Sequence, residues 1–303
     1  MRVGVSLRTA YMVDDVRDGA RWLVERTAAA READLDCLLV GDHHGVPVPY
    51  YQNTPLLGRL LAEWGDKPFG ALFLLPLWPP VLLAEQVGTL ASLAPGRFIL
   101  PCAVGGGAEQ FASMGVELAG RGARFEAGLD IVRRLLAGET VEVDGPYRVG
   151  PTRIAPVPPE PVEVWIGATA AKPIDRAARL GDGYLADANL TPSEAVEVLE
   201  RYRTACAEHG RTPTAVAIRR DVHVGADAED AARVARPVVD AGYRGFDPSA
   251  CTYGSIEQVA ERFAGLAAAG YTDVIVRHLA EDQGEVLRSF ERLTEVRRLV
   301  ADL

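Results

Sequence analysis

The chain has 303 residues, 48% of them hydrophobic, and a formal net charge of −10. That length suits one barrel domain or two smaller ones, with enough apolar residues for a large buried core. The acidic balance, without any basic run, excludes a non-specific nucleic-acid binder. The longest apolar stretch, 71–84, is broken by Pro76, Pro79 and Pro80 and is too short to span a bilayer.

The strand and helix signals alternate. Arg2–Leu7 reads as a strand running directly from the N-terminus, without the apolar stretch and cleavage site of a signal peptide. A helix follows over about 18–33, then a short apolar strand at Cys37–Val40 that ends in Gly41-Asp42-His43-His44. A polar, proline-rich loop leads to a third strand, Lys67–Leu75, and a helix with proline at its start, Pro79–Leu93. The fourth strand, Arg97–Val104, ends in Gly105-Gly106-Gly107. A long helix over about 120–137 precedes a proline-rich segment, 138–161, that reads as a hairpin inserted between barrel units. Strands then fall at Val162–Ile166, Gly183–Ala186, Ala215–Val224 and Asp273–Arg277, separated and closed by helices. About eight strand-plus-helix units predict a single α/β domain over 1–303, a (β/α)8 TIM barrel with an insertion near 138–161. The competing doubly wound sheet lacks its glycine fingerprint after the first strand.

In such barrels the chemistry lies at the C-terminal strand ends. His43 and His44 there can donate hydrogen bonds or move protons near neutral pH, or serve as loop scaffold with Asp42 orienting one ring. Gly105 and Gly106 allow a close approach of backbone to a flat ring or phosphate, or simply make a tight turn. Gly167-Ala168-Thr169 leads into a helix whose first N–H groups, with Lys172, suit a phosphate; the plain alternative is capping by Thr169. Tyr50, Tyr51, Trp64, Phe73 and Trp78 can wall a ligand or pack in the core. Arg219 and Asp221 share one strand face, Arg220 the other, and with Arg277 they read as structural ion pairs. The four cysteines, Cys37, Cys102, Cys206 and Cys251, are isolated and have no metal-ligand spacing, so no metal is expected. They read as reduced and buried, in keeping with a cytoplasmic location.

Several stretches, in order, resemble the luciferase-like monooxygenase family. They are Val40-Gly41-Asp42-His43-His44, Leu75-Pro76-Leu77-Trp78-Pro79-Pro80, Thr89 to Arg97, Glu109-Gln110-Phe111, Arg124-Phe125-Glu126, Trp165-Ile166-Gly167-Ala168-Thr169, and Ala177 to Tyr184. The resemblance implies a (β/α)8 barrel that binds reduced FMN or coenzyme F-420, commonly as a homodimer. It implies a catalytic role for His43 and cofactor contacts at Leu75, Gly105, Gly106, Gly167, Ala168, Thr169 and Lys172. His44, Tyr50 and Trp78 are the expected substrate contacts. It also implies a cis non-proline peptide within Phe73–Pro76 and a lid made from the insertion. The arginine that luciferases carry after the fourth strand is absent, and so is the Gly-Ser/Thr-Gly-Glu run of F-420 enzymes. The cofactor is therefore open, with FMN placed first.

The leading expectation is a monooxygenase that uses reduced FMN, delivered by a separate flavin reductase, and O2 on a small organic molecule. The alternatives are F-420-dependent hydride transfer, a non-catalytic flavin-binding protein, and a metal-dependent barrel hydrolase or aldolase, which the ligand spacing disfavours.

Overall fold

Short apolar runs alternate with longer segments of helical period, and the computed structural model, which describes residues 1–303, turns each into its element. In chain order these are β1 (Arg2–Leu7), α1 (Val16–Glu32), β2 (Leu38–Val40), α2 (Asn53–Trp64), β3 (Phe69–Ala71), β4 (Phe73–Leu74) and a 3-10 turn (Leu75–Leu77). Next come α3 (Pro80–Leu93), β5 (Phe98–Ala103), α4 (Ala108–Ser113), α5 (Arg121–Leu136), β6 (Val141–Asp144), β7 (Arg148–Thr152), β8 (Glu163–Gly167) and α6 (Ala171–Leu180). The chain ends with β9 (Gly183–Ala186), α7 (Pro192–Glu208), β10 (Ala215–Val224), α8 (Ala228–Asp240), β11 (Thr252–Gly254), α9 (Ile256–Ala269), β12 (Asp273–His278) and α10 (Gln283–Val300).

Eight parallel strands close on themselves in the order β1, β2, β3, β5, β8, β9, β10, β12, with β12 returning to β1. This is the (β/α)8 barrel that the alternation predicts. β4 continues the line of β3 along β5, and β11 lies beside the outer end of β10. β6 and β7 pair only with each other, within the segment expected to be inserted. No helix is long and apolar enough to cross a membrane.

Side-chain parity explains the unbroken apolar runs. Val3, Val5, Leu38, Val40, Leu100, Ile166 and Val276 face outward into the core beneath the helices. The alternate residues Leu39, Ile99, Trp165, Ala217 and Ile275 face inward and form a separate apolar plug. Room for Trp165 comes from Gly183, where a Cβ would sit 2.5 Å from Trp165 Cδ1. The upper surface of this plug, at Leu39 and Ile275, is the floor of a cavity at the C-terminal mouth.

Most boundaries fall within a residue or two of expectation. The short strand β11 at Thr252–Gly254 is not among the expected strands, and three further differences are larger. Residues 53–64, expected as loop, form α2, in which Leu56, Leu57, Leu60, Leu61 and Trp64 recur at helical spacing and are buried. Residues 108–113 form the extra helix α4. The third strand leaves its ladder at Leu72, so the expected single run over 67–75 is two short strands and a turn.

The cis bond expected within Phe73–Pro76 is absent; the cis peptide of this chain is Ala155–Pro156. The third strand turns at Leu72 instead. The Leu72 carbonyl accepts Asn53 Nδ2 at 2.9 Å, and the Leu74 N–H donates to Asp42 Oδ2 at 2.8 Å. Backbone groups at the break thus gain side-chain partners, which satisfies the bend.

Candidate active site

The strand ends surround a wide cavity of about 510 Å³ that runs into a narrower one of about 420 Å³; Leu72, Leu185 and Arg219 line both. Both sit at the C-terminal face, where barrel chemistry occurs. A larger hollow of about 820 Å³ lies at the opposite end, but both its arginines are paired within it, Arg97 with Glu163 and Arg133 with Asp182, each at 2.8 Å.

The loop after β2 places one histidine in the wide cavity and the other behind its wall. His43 lines the cavity beside Tyr50, their ring centroids 5.9 Å apart. Burial pushes the His43 imidazole below its ordinary range, helped by His44 and Arg244 and opposed by Asp42. It is therefore neutral near pH 7 and can accept a proton at one ring nitrogen while the other donates a hydrogen bond. His44 turns away. Its Nε2 lies 2.9 Å from Asp42 Oδ1, off hydrogen-bond alignment, and its ring packs edge-on against Trp78. Trp78 Nε1 donates to Asp42 Oδ2 at 2.9 Å. Of the three residues expected against substrate, Tyr50 lines the wide cavity, His44 does not, and Trp78 lines a surface cleft shared with Tyr147 of the hairpin segment. Of the other aromatic candidates, Trp64 and Phe73 are fully buried core.

Gly105, with φ of +74°, ends the β5 line and lines the narrow cavity; Gly106 does not. The Gly106 carbonyl accepts Gln110 Nε2 at 3.3 Å, and Gln110 Oε1 accepts the His44 N–H at 2.9 Å. One buried side chain therefore joins the glycine loop to the histidine loop. Across the cavity, Gly167, Ala168, Thr169 and Ala170 lead into α6. The Tyr184 hydroxyl donates to the Ala168 carbonyl at 2.6 Å and fixes this turn. Thr169 does not cap α6: the N-cap is Ala170, with no side-chain cap bond, so the first-turn N–H groups keep their binding capacity. Lys172 is exposed and outside the lining, and Leu75 is buried in the 3-10 turn; Leu72 takes the cavity-facing place.

The narrow cavity fits a flat ring with a phosphate-bearing chain. A Cβ on Gly167 would meet protein only at 3.7 Å or more, so packing does not demand glycine there and the missing side chain is space in the cavity. Apolar walls at Leu72, Ala103 and Leu185 suit a ring, and the α6 N-terminus suits an anion.

The sequence reading passes over several residues that build this mouth. Asn53 belongs to no motif, and Gln110 stands in the matched Glu109-Gln110-Phe111 stretch without an assigned role; the part each plays is legible only through its hydrogen bonds. Tyr243 and Arg244, from the segment after α8, join the wide cavity. Arg219 faces inward and pairs with Asp221 at 3.1 Å, whereas Arg220 turns outward and donates to the Leu190 carbonyl at 3.0 Å. Arg277 lines the wide cavity and has no carboxylate partner. The four cysteines are buried and unpaired.

Comparison with known proteins agrees with this architecture. An F-420-dependent glucose-6-phosphate dehydrogenase of Kribbella flavida is 30% identical over 197 residues, which are 60% of this chain and 58% of that protein. The chain thus spans little more than half the length of this curated relative. Among solved structures, a monooxygenase of Streptomyces bottropensis superimposes with a TM-score of 0.84 at 18% identity, covering 97% of this chain and 98% of that one. The FMN-bound oxygenating component of 3,6-diketocamphane monooxygenase from Pseudomonas putida gives 0.83 at 18% identity, covering 99% of this chain and 98% of that one. Identities that low speak to the fold alone. The family model described as luciferase-like monooxygenase matches residues 1–249, most of the barrel and both cavity loops, and the chain belongs to that family.

Proposed function

We propose that this protein is an oxidoreductase that binds a flavin-type cofactor along the two joined cavities and acts on a small molecule beside His43. The observation that carries this reading is the continuity of the trough. Leu72, Leu185 and Arg219 line both cavities, with His43 at the wide end and the free first turn of α6 at the narrow end. Gly105, Gly167, Ala168 and Thr169 would hold the cofactor's phosphate-bearing chain, and Leu72 and Leu185 would flank its ring. When bound, such a cofactor supplies two-electron redox chemistry.

The residues of the chain supply the rest. Neutral His43 takes a proton from a substrate hydroxyl as it is oxidised, and in the reverse direction the protonated ring returns it to the carbonyl oxygen. Tyr50 packs beside the ring, and Asp42 holds the loop that carries it by fixing Leu74 and Trp78. The apolar floor at Leu39 and Ile275 keeps water from the barrel interior.

Coenzyme F-420 with hydride transfer is the first reading, supported by the F-420-dependent dehydrogenase found among the sequence relatives. This reverses the order in which the sequence motifs place the two cofactors. The second reading, reduced FMN with O2, is favoured by the narrow cavity itself. Arg219 is its one basic lining residue, which suits a single phosphate better than a longer anionic tail. That reading also calls for a separate flavin reductase. A homodimer in the cytoplasm is part of either proposal. The test is anaerobic titration with reduced FMN and reduced F-420, followed by turnover without O2. Tight F-420 binding and O2-independent turnover support hydride transfer; FMN preference with an absolute O2 requirement supports oxygenation; failure of both cofactors to bind overturns the proposal.

A further inference from the structure

The wide cavity carries more positive charge than its own carboxylates neutralise. Arg8, Arg219, Arg244 and Arg277 line it. Arg8 is matched by Glu281, at 2.6 Å. Arg219 and Arg244 share Asp221, at 3.1 and 3.4 Å, and the Tyr243 hydroxyl donates to the same carboxylate at 2.8 Å. Asp187 reaches only to 3.9 Å from Arg219 and is 54% exposed. Asp42 is committed to Leu74 and Trp78. Nothing remains for Arg277. Its Nε, and Nη2 of Arg219, are buried with no hydrogen-bond acceptor.

Arg26, which serves structure, looks different. Arg26 donates from Nε to Gln283, from Nη1 to Tyr11 and from Nη2 to the Glu281 carbonyl, at 2.7, 2.8 and 2.9 Å. A buried guanidinium N–H left without an acceptor is costly unless a ligand completes it. Burial and neighbouring Arg219 push the Arg277 guanidinium down to about 10, so it remains cationic near neutral pH. His43 lines the same cavity, so this cluster and His43 face one space. Arg244 and Arg277 line the wide cavity and not the narrow one, which separates them from the Gly167 turn.

We propose that Arg277, with Arg244, forms an anion subsite, and that the substrate carries a carboxylate or phosphate group held there with its reacting carbon toward His43. Planar guanidinium groups recognise both head groups through paired N–H donors. The word substrate rests on the oxidoreductase reading; the anion subsite does not.

The test is calorimetric titration of the purified protein with inorganic phosphate and, separately, malonate, in the wild type, Arg277→Gln and Arg244→Gln. Affinities for reduced FMN and reduced F-420 are measured on the same proteins. The expected result is saturable binding of at least one anion, weakened about tenfold or more by either substitution. Affinity for whichever cofactor binds should change by less than about threefold. The preferred anion then distinguishes phosphate from carboxylate. Absence of saturable binding, or binding indifferent to both substitutions, overturns the proposal. So does an equal loss of cofactor affinity, which would assign the arginines to the cofactor. Arg244 is 41% exposed, so its variant keeps the test decisive if Arg277→Gln fails to fold. Anion binding as expected with neither cofactor bound leaves the subsite standing and removes the oxidoreductase reading.

Discussion

The backbone N–H of Leu74 donates to Asp42 Oδ2 at 2.8 Å, and this bond ties the loop carrying His43 to the strand break that turns Leu72 into the cavity. Trp78 Nε1 shares the same oxygen at 2.9 Å. Asp42→Ala leaves both donors buried without an acceptor. It should lower unfolding stability by about 2–4 kcal/mol, because each unsatisfied buried group costs about 1–3 kcal/mol. Urea unfolding measures this directly. A loss below about 0.5 kcal/mol, the range of an ordinary surface change, would show that the break holds without Asp42.

His43 is exposed and makes no structural side-chain hydrogen bond, so His43→Gln should leave stability within about 0.5 kcal/mol. Turnover should fall about 10²–10⁴-fold, the usual contribution of a positioned acid or base. In the oxidative direction the neutral ring is the active form. The wild-type rate should therefore decline as the pH drops through a value below the ordinary histidine value of about 6.5, and the variant should lack that limb. An unchanged rate and profile in the variant would remove His43 from the chemistry.

Two glycines separate binding from folding. A Cβ at Gly167 meets protein only at 3.7 Å or more, whereas one at Gly183 comes within 2.5 Å of Trp165. Gly167→Ala should fold normally and bind cofactor about tenfold more weakly, since overfilling a fitted site costs about 1–3 kcal/mol. Gly183→Ala should instead lower the melting temperature. Equal melting losses with unchanged cofactor affinity would contradict the assignment of the space at Gly167.

His278 is buried against Phe290, ring centroids 4.3 Å apart, with no partner for Nε2. Burial holds its imidazole well below 6.5, with Arg26 and His223 adding to the effect, and burial depresses His223 as well. Below the unfolded value the unfolded chain binds these protons and the folded chain does not. Their contribution to stability is therefore fully present above about pH 6.5. It is lost as the pH falls through the depressed folded values, at up to about 1.4 kcal/mol per pH unit for each proton. His278→Leu should flatten stability against pH between about 6.5 and 5. Parallel slopes for variant and wild type would show that His278 does not couple to folding.

The sequence alone determined the barrel, because strand and helix periods are local. Each apolar run already states which residues face the helices, and eight such runs leave few closed arrangements. It also determined the loops where binding groups gather, at His43, Gly105 and Gly167, because barrel strands end at one face. The helix over 53–64 was equally legible in its leucine spacing, though the prolines before it suggest loop. Tertiary structure alone decided which of two neighbours enters the cavity. A one-residue break in β3 exposes Leu72 in place of Leu75, and nothing local marks it, since its partners Asn53 and Asp42 come from other segments. It also decided which arginine stays unpaired. The Arg219–Asp221 pair is local to one strand; only the tertiary structure brings Arg244 to the same carboxylate and leaves Arg277 without one. Period fixes the face a residue takes, whereas satisfaction of a polar group depends on partners that chain closure delivers.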